Sequence, residues 1–132
     1  MNFDQAHRVI KNGDIFAIRQ AVQCGLSPNL SNKYSWTLLI LAALEGNTAI
    51  AELLVAQGAD IHAVNNFGET ALSLAAHQGH MRLTEWLIGK GASTDCRPHG
   101  WELSDWVRET SGLPPEKVSK MLTLLGERSH LN

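Results

Sequence analysis

Long apolar runs are missing from this sequence. None approaches the roughly 18–20 residues that a membrane-spanning helix needs, and the opening MNFDQAHRVIKNGD is too polar to hold the apolar stretch of a secretory signal. Charge of one sign is missing too. Eleven Lys and Arg against 13 Asp and Glu leave a net charge of −2, with no run of like charges. That gives no footprint for nucleic acid and no basic face for a membrane surface. Cysteine is scarce: Cys24 and Cys96 alone cannot make a disulfide framework. Motifs that carry chemistry are also absent. There is no glycine-rich phosphate loop, no GxSxG and no HxxxH on a helix. These absences predict a cytoplasmic chain with no cofactor, no metal and no catalytic group. A folded protein exported without a cleavable signal would read the same way.

What is present is self-similarity. Thr70–Cys96, TALSLAAHQGHMRLTEWLIGKGASTDC, falls on Thr37–Ala63, TLLILAALEGNTAIAELLVAQGADIHA, when shifted by 33 residues. Ala75-Ala76 meets Ala42-Ala43, Gly79 meets Gly46, Glu85 meets Glu52, Leu87 meets Leu54, and Gly91-Ala92 meets Gly58-Ala59. Within each period two short apolar stripes of helical spacing are separated by a glycine turn. Leu38–Leu44 and Thr48–Ala56 read as two helices, with Thr48 capping the second and Gly58 ending it. Earlier, Phe3–Ile10 and Ile15–Gln23 make a similar pair around Gly13, closed by Gly25. Later, Gly100 falls 32 residues after Gly68, which sets Trp106 in the place of Leu74. Pro115 then opens a last helix with Val118, Met121, Leu122 and Leu125 inward. One helix pair cannot bury its apolar face alone, so the pairs must stack and share a core.

A 33-residue period with two helices resembles the ankyrin-repeat family, over nearly the whole chain. The resemblance implies an all-α solenoid forming one domain over residues 1–126. Its repeats span about 1–31, 32–64, 65–96 and 97–126, with a polar tail at 127–132. The first and last repeats are degenerate, as end caps that face water must be. Two departures stand out. The family's Thr-Pro-Leu-His reads Thr37-Leu38-Leu39-Ile40 and Thr70-Ala71-Leu72-Ser73, and the usual turn glycine is Ser35 in the second repeat. Stacking also places Cys24 and Cys96 two repeats apart, roughly 20 Å at about 10 Å per helix layer. That exceeds the roughly 7 Å a disulfide can bridge.

Six histidines invite a search for a site. His77 and His80 flank Gly79, and by resemblance His80 takes the capping position held by Asp14 and Asn47. Asp105 and Glu109, four apart, read as a solvated face. In the family, the loop or "finger" before each first helix and that helix's exposed face form a concave binding surface. Carried over residue by residue, this selects Lys33, Tyr34, Trp36, Leu44 and Glu45 in the second repeat. In the third it selects Asn66, Phe67, Glu69, His77 and Gln78, and in the fourth His99, Trp101 and Glu109. Tyr34, Trp36, Phe67 and Trp101 would form an aromatic row at positions the fold leaves polar, a composition favoured at interface hot spots. The function implied is non-enzymatic binding of another protein, by a chain that is monomeric when unbound. Small stand-alone proteins of this type resemble inhibitors, including immunity proteins that neutralise a cognate toxin. An adaptor bridging larger partners is the alternative, and a histidine-based metal or catalytic protein is a third.

Overall fold

In the computed structural model, which describes residues 1–126, helices follow one another in four antiparallel pairs. They are α1 (Phe3–Lys11) with α2 (Ile15–Gln23), α3 (Leu38–Glu45) with α4 (Thr48–Ala56), α5 (Ala71–His77) with α6 (Met81–Gly89), and α7 (Leu103–Thr110) with α8 (Pro115–Leu124). A single 3-10 turn, Pro98–Gly100, precedes α7. The first helices form a continuous row, α1 on α3 on α5 on α7, and the second helices lie behind them. The expected polar tail, with His130, falls outside the described residues.

The core follows from that stacking. The middle first helices are covered on both sides, so Leu38–Ala43 and Ala71–Ala76 are buried all round. The α1 helix has a neighbour on one side only. It buries Ala6 and Ile10 and turns Asp4, Gln5, Arg8 and Lys11 to water. At the far end Met121 of α8 and Leu125 just past its end are buried, with Leu122 packed against the same core. Each fully buried Leu, Ile or Met contributes about 1.5–3 kcal/mol. No repeat has enough of them to stand alone.

Local chemistry sets the helix starts. Thr37 and Thr70 accept from the backbone N–H three residues on, and Ser73 completes a capping box by accepting from the Thr70 N–H. Asp14 and Asn47 cap α2 and α4 in the same way. The cap of α4 is therefore Asn47, and Thr48 is its first helical residue. The α6 start differs from expectation as well. His80 occupies the cap position but makes no capping bond there. Its Nε2–H instead donates across the stack to the Leu44 carbonyl, 3.1 Å away, one of the orphan groups at the end of α3. The imidazole then lies against Gly46, whose φ of +71° and ring contact both exclude a side chain.

Candidate interaction surface

Two of the three fingers share one construction. Asn32 Oδ1 accepts from the Tyr34 and Trp36 N–H groups, and the Asn32 N–H donates to the Trp36 carbonyl. Asn65 repeats this with the Phe67 and Glu69 N–H groups and the Glu69 carbonyl. Side chains of Asn hold the backbone this way in Asx-turns. The turn needs a left-handed residue, which is Gly68 in one finger and Ser35, at φ +65°, in the other. Adjacent fingers are stitched together by backbone bonds. The Asn66 N–H donates to the Tyr34 carbonyl at 2.9 Å. One repeat on, Pro98 occupies the donor position and has no N–H. The bond moves one residue along, to His99 N–H on the Phe67 carbonyl at 2.7 Å, with His99 left-handed at φ +52°.

This stitching aligns a file of rings. Tyr34 lies 6.4 Å from Phe67, Phe67 stacks on His99 at 5.9 Å, His99 meets Trp106 at 5.6 Å, and Trp106 stacks on His77 at 4.0 Å. The separations suit aromatic pairs, each worth about 0.5–1.5 kcal/mol. Trp106 is the buried anchor at 6% exposure, whereas Tyr34 and Phe67 are 46% and 42% exposed. Below them, buried Glu69 accepts from Asn65 Nδ2 at 2.8 Å and from His99 Nε2 at 3.0 Å. At the other end Thr110 donates its hydroxyl to the Trp106 carbonyl, so its oxygen accepts from His77 Nε2–H at 2.8 Å. That leaves His77 Nδ1 bare toward the Gln78 amide. Burial, as the largest cause, holds the His77 pKa below its ordinary value and favours this neutral ring; Glu69 opposes the shift.

The thirteen residues singled out in the sequence divide by environment. Lys33, Tyr34, Glu45, Asn66, Phe67, Gln78, His99, Trp101 and Glu109 are exposed. Lys33 Nζ lies over the Tyr34 ring at 5.1 Å, a cation–π contact. Trp101 is 41% exposed and has its N–H on the Pro98 carbonyl. Leu44 and His77 are half-buried. Trp36 is not turned outward: it is half-buried and packs on the core. Glu69 is buried and serves the finger network. The aromatic file therefore runs through His99 and Trp106 rather than through Trp36 and Trp101. Sequence reading missed the His99–Glu69 link. The register that equates His99 with Phe67 would have found it, since it brings a ring onto the next finger's tip.

Nothing among the described residues groups three or more His, Cys, Asp or Glu side chains as metal ligands, and no helix among them is long and apolar enough to cross a membrane. Asp105 pairs with Arg108 at 2.7 Å rather than with Glu109. Cys24 and Cys96 are free thiols, and burial pushes the Cys96 thiol up in pKa.

Stacked helix pairs joined by hydrogen-bonded fingers define a helical repeat solenoid. The chain belongs to the ankyrin-repeat family: a family model described as ankyrin repeats (3 copies) matches residues 6–98. The pair α7 and α8 lies beyond that match and stacks on α5 and α6. A segment of 56 residues, 42% of this chain, is 39% identical to part of Potassium channel KOR2 of Oryza sativa subsp. japonica. The matched stretch covers 8% of that protein's length. Ankyrin repeats are protein–protein interaction modules, generally without catalysis, and this chain carries three matched copies of them.

Proposed function

We propose that residues 1–126 act as one binding domain of four repeats, whose finger tips and concave first-helix face cover a partner protein and block it. The observation that carries this reading is the file Tyr34, Phe67 and His99, exposed at the finger tips yet fixed by backbone bonds and by the Glu69 and Trp106 anchors beneath. Preorganised rings lose little entropy on contact, and aromatic side chains dominate interface energetics. Lys33, Leu44, Glu45, Asn66, His77, Gln78, Trp101 and Glu109 surround the file and complete the proposed surface. A rigid surface of this kind suits occlusion in the manner of an inhibitor. An immunity protein that neutralises a toxin in the cytoplasm is one form of that role.

Photo-crosslinking groups placed at Phe67 and at Phe16 of α2 test the reading in cell extract. Crosslinks from position 67 to one partner, in 1:1 stoichiometry, with loss of that partner's own activity, are expected. Crosslinks only from position 16 would contradict the surface. A bound partner that stays fully active while a second protein joins the complex would mean bridging instead.

A further inference from the structure

Within the turn itself the first two fingers make the same Asn-held backbone bonds, but where the second has Glu69 the first has Trp36. In the second finger the Asn65 amide donates to the Glu69 carboxylate. In the first, Asn32 uses its Oδ1 on the Tyr34 and Trp36 N–H groups, and among the described residues its Nδ2 donates to nothing. Asn32 lies on the wall of an open cleft of about 200 Å³ lined by Phe3, His7, Asn32, Trp36, Leu41 and Leu44. Small-molecule sites occupy about 300–1,000 Å³. This cleft has room for one side chain of a partner rather than for a free metabolite.

We propose that this cleft receives an anchor from the partner that joins a large apolar side chain to a carboxylate. The apolar body meets Phe3, Trp36, Leu41 and Leu44. The carboxylate takes the hydrogen from Asn32 Nδ2 that the first finger leaves unused and the second gives to its own Glu69. A charged acceptor makes that bond about twice as strong as a neutral one. The anchor's origin in a protein rests on the binding role proposed above, since Trp36 and Leu44 border that surface. The cleft itself is tested without any partner.

The test titrates the full chain with phenylacetate and with phenethylamine, which present the same aryl body with opposite charges. Amide and indole shifts are followed by proton–nitrogen NMR. Phenylacetate should give saturable shifts at the Asn32 side-chain amide, the Trp36 indole N–H and His7, in the roughly millimolar range of a fragment of about ten heavy atoms. Phenethylamine should bind several-fold more weakly. Asn32→Asp keeps the Oδ1 acceptor for both backbone N–H groups and removes the donor, so it should reverse the preference. Should that variant lose its dispersed spectrum, Trp36→Glu supplies the second finger's carboxylate to the first and should abolish phenylacetate binding. Shifts that do not saturate, stronger binding of phenethylamine by the unmodified chain, or phenylacetate binding retained in a folded variant would each overturn the proposal. Failure here with crosslinking at position 67 intact removes the cleft alone; the converse removes the partner-blocking role and leaves the cleft.

Discussion

Two tryptophans and a histidine separate the stabilising side chains from the exposed ones. Trp106 stands in the register position of a core leucine and is buried between His77 and His99. Trp106→Ala should destabilise by about 3–5 kcal/mol, read as a large drop in the melting temperature by calorimetry. Trp36 packs on one side and walls a cleft on the other, so Trp36→Ala should cost about half as much. Equal losses would mean that the cleft collapses around Trp36. His77 makes stability depend on pH. Its native pKa lies below the 6.5 of an unperturbed ring, so the unfolded chain takes up the proton first. Its contribution is present in full above that value and is lost as pH falls through the lowered native pKa. His77→Phe keeps a ring on Trp106 and cannot titrate. Its melting temperature should fall less than that of the unmodified chain between about pH 7.5 and 5; parallel curves would contradict the neutral, half-buried assignment.

At the scale of elements, Ser35 carries a left-handed backbone that its counterpart Gly68 adopts freely. Ser35→Gly should raise stability by up to about 1 kcal/mol in chemical denaturation, and an unchanged or lower midpoint would show that the serine is not strained there. The α8 helix covers the end of the stack with Met121 and Leu125. Deleting 115–132 should expose that face and cause aggregation or a large fall in melting temperature. A truncated chain that melts at the full-length temperature would show that α8 adds nothing to the core. The helices were legible because their signals are local. Apolar spacing, the capping side chains of Asp14 and Asn47, and glycines past helix ends set α2 and α4 where they lie. The finger side was less legible, because it depends on register between loops 30 or more residues apart. Whether Trp36 faces water depends on how α1 packs beside it. Whether Glu69 is exposed depends on His99, which reaches it only because Pro98 cannot donate. His80 reads as a cap by position, yet a carbonyl in the neighbouring repeat captures its ring.

The described residues form one stack with the exposed rings of Tyr34, Phe67 and His99 along its fingers, and with Phe16 of α2 (74% exposed) among the second helices as an internal control. Protein binding through the finger side is tested by measuring the affinity of the crosslinked partner for three chains: unmodified, Phe16→Ala, and the double variant Tyr34→Ala with Phe67→Ala. All three should remain folded, the double variant melting lower by about the 1–3 kcal/mol of its two lost ring pairs, because neither tip residue belongs to the core. Hot-spot rings contribute on the order of 2 kcal/mol each, so the double variant should bind at least about thirtyfold more weakly while Phe16→Ala binds as the unmodified chain does. Full affinity in the folded double variant, with the loss appearing in Phe16→Ala, would place the binding surface on the second helices and contradict the account.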